Sequence, residues 1–474
     1  MWTRRDLLRA VGASATLAAL TPGCGAGARP LLADASHDPD RLRAALRAAV
    51  DAAAARLTTP FAFATRRRRL RAVVDLDQRG LFVEERAIAI VGGRDRDGAW
   101  REHATDDLSP AGVAAAAAAV AGGSGPTTAP APPVGRTARD HTALVRDPRA
   151  IGRRAWLAEA DALAERVAVH ASSRIVYRAS WLVADDDETW IVRADVDHRQ
   201  RRVRGQVGAS VVTWHGRRPV VGEATIAGPG VPTAALLDDA ALAGAASDAL
   251  TLYTPGGAPT GPATVVLAPA LVAAILDRLL ATPAIAAAVT PAALLTITDD
   301  PTAADAFAGH VVDDDGEPAR PTVIAADGRP MRAAGVGGAR RAGPRWYRRR
   351  GPCHLEVVAG PAAAVTAVEA TVDAGVVLDG LRDLRLDVDG RLVLRAARAR
   401  ELARGQRTGR IWGDLELRAD VGELLAAVSA ASLDRVAVTI VDDGPARSAR
   451  APALVTRAEL GGAVEPARPR RSDR

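Results

Sequence analysis

The stretch TVVLAPALVAAILDRLLAT, Thr264–Thr282, decides how the chain is read. Thr264 to Leu267 is β-branched and aliphatic, and reads as a short strand. Pro269 sets φ for a first helical turn. After it Leu271, Ala274, Ile275, Arg278 and Leu279 recur at three-to-four spacing, so an amphipathic helix follows the strand directly.

Beyond this unit, Gly375–Leu378, Leu384–Val388, Leu392–Ala396 and Gly409–Leu417 read as successive strands, Val421–Ser429 as a helix and Val436–Asp442 as another strand. Many short strands after a helix predict an antiparallel, barrel-like C-terminal domain. Upstream, Leu236–Leu252 reads as a helix. Earlier still, Leu42, Leu46, Val50, Ala53 and Leu57 mark one face of a helix over Arg41–Leu57, with Arg41, Arg43 and Arg47 turned to water.

Leu70–Asp77 and Leu81–Val91 form an expected hairpin around Gln78-Arg79-Gly80, and Arg66–Arg69 ahead of it reads as a solvated connection rather than a nucleic-acid patch. Ser109 opens an Ala-rich helix, Ala111–Ala121. Trp156, Ala160, Leu163 and Val167 mark the next helix, and Arg174–Val183, Thr189–Ala194 and Arg201–Trp214 three strands. Asp185-Asp186-Asp187-Glu188 reads as a solvated hairpin loop, because its spacing does not match an EF-hand. Gly92-Gly93, Gly98 and Gly228-Pro229-Gly230 read as turns without a phosphate-loop pattern. The fold class is α+β: an N-terminal mixed half with antiparallel strands and a β-rich C-terminal half. The expected divisions are a signal at 1–33, a lobe at 34–121, a Pro/Gly linker at 122–135, a helix and meander at 136–252, a C-terminal domain at 253–462 and a tail at 463–474.

At 474 residues the chain is long enough for two or three domains. Its formal charge of +6 ordinarily raises an acidic partner. That inference is weak here, since the chain holds no Lys and no Asn while Ala, Arg, Gly and Pro abound, the imprint of a GC-rich coding bias. Aromatic residues for base stacking are scarce, so no nucleic-acid partner is expected. Thr3-Arg4-Arg5-Asp6-Leu7-Leu8 resembles a twin-arginine export signal, with Arg4 and Arg5 as the pair and a mildly apolar run to Leu20. Export by this route would place the protein in the periplasm or cell envelope. Cleavage leaves two readings open. Thr21-Pro22-Gly23-Cys24 resembles a lipobox, making Cys24 a lipidation candidate and the lipid the sole membrane attachment; otherwise cleavage follows Ala26-Gly27-Ala28. With Cys24 lipidated or removed, Cys353 alone remains and no internal disulfide can form.

The Leu-x-Pro entry at Leu267–Pro269, with the element order before it, resembles the zinc helix of the TldD/PmbA family of metallopeptidases. LLTITDDP at Leu294–Pro301 and the acidic segment from Val311 resemble that family's Asp-Asp-Pro strand and its later Asp-Asp-Glu-Gly segment, with Asp315 in place of the Glu. In active members the helix carries His-Glu-x-x-x-His, and a late Cys adds a ligand. On that pattern the first His falls on Asp277, the Glu on Arg278 and the second His on Thr282, while the late turn Ile440–Pro445 holds no Cys. Pro344-Arg345-Trp346-Tyr347-Arg348 stands where the family has an Asn-bearing signature. The resemblance implies a degenerate zinc site with no catalytic residue and no cofactor.

By the same resemblance the chain is a non-catalytic, exported subunit that forms a homodimer, or a heterodimer with a zinc-bearing TldD-like paralogue, around unfolded peptide. The alternatives are a stand-alone exported binding lipoprotein and an active metallopeptidase with relocated ligands. His310 with Asp313 and Asp314 is the nearest other metal-type cluster, and an exposed turn His is the simpler reading. Cys353, beside His354, reads as a buried thiol rather than a nucleophile. Asp277 as a catalytic base is disfavoured against an ion pair.

Overall fold

The first helix, α1 (Pro39–Ala53), starts where the Asp38 carboxylate accepts from the backbone N–H groups of Asp40 and Arg41. Leu42, Leu46, Val50, Ala53 and Leu57 are buried, as their spacing requires. Arg43 does not face water. It is buried against the Asp140 and Asp197 carboxylates. The computed structural model describes residues 38–76, 78–122, 138–142, 147–170, 172–216, 218–304, 306–313, 316–332, 352–360, 364–440 and 447–463. The export signal with Arg4, Arg5 and Cys24, most of the linker, Asp314, Asp315, Pro344–Arg348, the late turn from 441 to 446 and the tail from 464 lie outside these.

The N-terminal half is built on one sheet: β1 (Phe61–Asp75), β2 (Arg79–Arg94), β3 (Trp100–Thr105), β4 (Ala138–Thr142), β5 (Ile175–Arg193), β6 (Asp197–His215) and β7 (Arg218–Pro229). Its order is β3-β2-β1-β5-β6, with β4 and β7 dividing the far edge of β6. Neighbours are antiparallel except β4, which runs parallel to β6. Helices α1 and α2 (Pro110–Ala121) pack on Ala62, Ala64, Ala89 and Val192, with Ser109 capping α2 through the Gly112 N–H at 3.1 Å. Helices α3 (Arg153–Val169) and α4 (Asp239–Ala249) pack on Leu70, Ala72, Leu182 and Val207. Strand β7 approaches α4 so closely that a Cβ on Gly222 would sit 1.8 Å from the Ala245 carbonyl oxygen, so only glycine fits there.

The charged runs lie inside this sheet, against expectation. Arg66–Arg69 is neither a connection nor solvated: it is the middle of β1, and Arg66 and Arg68 are buried. Asp185–Glu188 is not a loop but the middle of a single strand, β5, with all four residues buried. The register explains both. Arg66, Arg67, Arg68 and Arg69 stand opposite Glu188, Asp187, Asp186 and Asp185, and Arg201, Arg202 and Arg204 of β6 stand opposite Glu188, Asp187 and Asp185. Burial raises the Asp185 carboxyl, but the Arg69 hydrogen bonds at 2.8 and 3.0 Å, with the charges of Arg69, Arg67 and Arg204, outweigh it and hold the group below the usual range. Gly92 and Gly93, expected in a turn, lie within β2; Gly98 does turn, with φ of +80°.

The C-terminal half holds β8 (Thr260–Leu267), β9 (Leu295–Asp299), β10 (Thr322–Ala325), β11 (His354–Ala359), β12 (Ala374–Leu386), β13 (Arg391–Ala403), β14 (Gln406–Asp420), β15 (Ala430–Ile440) and β16 (Arg447–Ala463). The expected short strands are longer, and β16, which pattern reading passes over, is the hub: it pairs with β8, β11, β14 and β15. Strands β8, β12, β13, β14 and β16 close a ring, β16 pairing back onto β8. The barrel-like arrangement is mixed rather than purely antiparallel, since β8–β12 and β11–β16 are parallel. Helices α5 (Pro269–Leu280), α6 (Pro283–Ala288), α7 (Val365–Ala370) and α8 (Val421–Ala426) complete this half. No helix among the described residues is long and apolar enough to cross a membrane.

Candidate functional site

The strand-to-helix unit read from Thr264–Thr282 folds as β8 followed by α5, with Pro269 at the helix start. The helix is more deeply buried than one amphipathic face requires. Leu271, Val272, Ala273, Ile275, Leu276, Asp277, Leu279 and Leu280 are all buried, and the apolar ones join Leu378, Leu394, Leu417 and Leu454 in one core. A buried carboxylate in such a core needs a partner. Arg447, the first residue of β16, supplies it: its Nε lies 2.6 Å from Asp277 Oδ1.

Arg278 points the other way and is exposed. Thr282 is not on the helix. Helix α5 ends at Leu280, and Thr282 is the N-cap residue of α6, its carbonyl accepting from Ile285 and Ala286 at 3.0 and 3.1 Å. Thus the structure does not bring Asp277, Arg278 and Thr282 to one face. A zinc site of two imidazoles and an adjacent base does not fit these residues. The one carboxylate is occupied by a guanidinium, the base position carries an outward cation, and the third position has left the helix. Among the described residues no group of three or more His, Cys, Asp or Glu side chains is placed to hold a metal ion.

Next to Arg447 lies a polar cluster that sequence reading missed. Ser448 Oγ is 2.8 Å from His354 Nδ1, and His354 Nε2 is 3.0 Å from Glu356 Oε1, linking β16 to β11; Arg435 of β15 adds an ion pair to Glu356. Asp299, at the end of β9, accepts from the backbone N–H groups of Cys353 and His354 at 3.0 and 3.1 Å. Burial nonetheless pushes its carboxyl up to about 6, because two amide hydrogen bonds do not replace lost hydration. The only sequence signal was the Asp-Asp-Pro segment itself. Cys353 is a buried thiol beside Phe307 and Ala308, as its reading expects. His310, expected to be exposed, is 4% exposed, and Asp313 beside it turns its carboxylate to the Glu317 N–H.

No known family's sequence profile and no curated protein matches this chain. In three dimensions the chain is similar to TldE from Thermococcus kodakarensis, with a TM-score of 0.66 at 14% identity over 88% of this chain and 99% of that one. The fold is that of the TldD/PmbA proteins. Two further structures share it, each named as a candidate modulator of DNA gyrase. The protein from Bacteroides thetaiotaomicron has a TM-score of 0.66 at 14% identity over 89% of this chain and 98% of that one. That from Thermotoga maritima has 0.65 at 14% identity over 85% and 96%. The TldD/PmbA fold therefore persists where little of the sequence does, and the Asp277–Arg447 pair sits on the helix that the resemblance had singled out.

A cavity of about 1040 Å³ opens elsewhere, between β8, β13, β14, β16 and α8, with Arg457, Glu459 and Glu423 in its wall. None of Asp277, Arg278 or Thr282 lines it.

Proposed function

We propose that this protein is a TldD/PmbA-like subunit without metallopeptidase activity of its own, which holds peptide or completes a dimer with a zinc-bearing TldD-like paralogue outside the cytoplasm. The observation that carries the reading is the ion pair between Asp277 and Arg447. A fixed guanidinium beside the first ligand position stands where a divalent cation's charge would otherwise be needed, and it is always protonated. Arg278 adds a second cation next to it in sequence. The chain keeps the packing of the fold while its site residues are unsuited to zinc, and that combination favours a holding or partnering role. Export rests on Arg4-Arg5 and lipid attachment on Cys24.

The test is a native pull-down of the tagged, exported chain with mass spectrometry of what accompanies it. A co-purifying paralogue bearing His-Glu-x-x-x-His is the expected result. A chain that returns alone, in repeated preparations from cells that contain such a paralogue, contradicts the subunit reading.

A further inference from the structure

Strand β4 is held to the sheet by unusual means. None of its five residues is buried, and only His141 is half-buried. What fixes it, beyond the parallel ladder to Asp197–Arg201, is polar. Arg43 of α1 reaches across to the Asp140 carboxylate, and the same guanidinium donates to the Arg139 carbonyl at 3.4 Å. His141 Nε2 lies 3.1 Å from His198 Nδ1. The ring centres are 5.3 Å apart, further than the nitrogens by nearly the full reach of both rings, so the imidazoles meet end-on in a hydrogen bond rather than face to face. Such a bond requires one ring nitrogen to accept, so at least one of the two rings is neutral.

From these contacts we infer that β4 is a pH-released edge strand: when His141 and His198 are both protonated they repel across the β4–β6 contact, and β4 leaves the edge of β6. Of the charges that act on His198, those of His141, Arg139 and Arg43 oppose its protonation and that of Asp197 favours it. Arg139 of β4 shares the pair's face, whereas Asp140 of β4, Asp197 and Arg199 of β6 and Glu188 of β5 lie on the opposite face of the sheet, which α1 covers with Arg43 and Arg47. Each of these carboxylates is already in an ion pair with one or more of the arginines. Burial and then the charge of His141 lower the His198 pKa, so the second proton is taken up only below the ordinary histidine range. Strand β7 pairs with β6 only from Arg204 onward, so departure of β4 exposes the backbone donors and acceptors of Asp197–Arg201.

Hydrogen exchange of the full chain at about pH 7.5 and about pH 5, corrected for intrinsic rates, tests this. Amides of 138–142 and 197–201 are expected to lose at least about tenfold of their protection at the acidic pH, while amides of the β1–β5 ladder keep theirs. His198→Gln, which stays neutral and can still bond His141, is expected to hold β4 at both pH values, and His141→Gln to do the same. Unchanged protection in the native chain, or equal loss in both Gln variants with the β1–β5 ladder intact, overturns the inference.

Discussion

Arg447 Nε lies 2.6 Å from Asp277 Oδ1, joining the helix that follows β8 to the first residue of β16, 170 positions later in the chain. Both side chains are mostly out of solvent, at 17% and 11% exposure, so each is costly without the other. Arg447→Met should therefore lower stability by about 3 kcal/mol, since it takes the guanidinium away from a buried carboxylate. Asp277→Leu combined with Arg447→Met should recover most of that loss. Urea unfolding of both variants checks it, and a double variant no more stable than the single one would show that the pair is not the unit.

Restoring the zinc motif in name should not restore it in space. Asp277→His, Arg278→Glu and Thr282→His together place one imidazole beside Arg447, a carboxylate facing water and a second imidazole beyond the end of α5. We expect no stoichiometric zinc and no peptide cleavage from this triple variant. The late turn would still lack its Cys.

Asp299 gives a pH dependence of definite sign. Its folded pKa of about 6 exceeds the ordinary 3.8, so between these values the folded chain binds more protons than the unfolded one. Stability contributed by this group therefore falls as pH rises through that window. Above it the ionised, buried carboxylate costs about 3 kcal/mol. Asp299→Asn keeps an acceptor for the Cys353 and His354 N–H groups without the charge, and should stabilise the protein at about pH 7 by about 1–3 kcal/mol, with the gain vanishing near pH 4. Denaturation midpoints at the two pH values decide it.

The Arg69–Asp185 pair should behave in the opposite sense. The Asp185 carboxyl is held low in the fold, so its contribution is present above the unfolded pKa and is lost as pH falls through the folded one. Arg69→Met should cost about 3 kcal/mol at neutral pH and much less in strong acid. Added salt should change little, because Asp185 is buried.

The contrast between these residues shows what the sequence made legible. Helices with an apolar stripe, such as Leu42-Leu46-Val50 or Trp156-Ala160-Leu163, could be read because burial on one side imposes a local period. The strands through Arg66–Arg69 and Asp185–Glu188 could not, since a charge run is ordinarily solvated and its partner lies more than a hundred residues away. Only the register, Arg69 opposite Asp185 and Arg66 opposite Glu188, makes both runs interior. Strand β16 was hidden for a similar reason: Arg, Pro and Gly interrupt its pattern, while its pairings with four other strands hold it in place. At the site, α5 was legible from Leu271, Ile275 and Leu279. The end of the helix before Thr282 and the arrival of Arg447 at Asp277 were not, being tertiary facts.

The most direct test of the central claim is metal analysis of the purified chain after equilibration with excess zinc and removal of the unbound ion, alongside a peptide-cleavage assay of the same sample. The account predicts far less than one zinc per chain and no cleavage. One equivalent of zinc, with cleavage that a chelator abolishes, would contradict it.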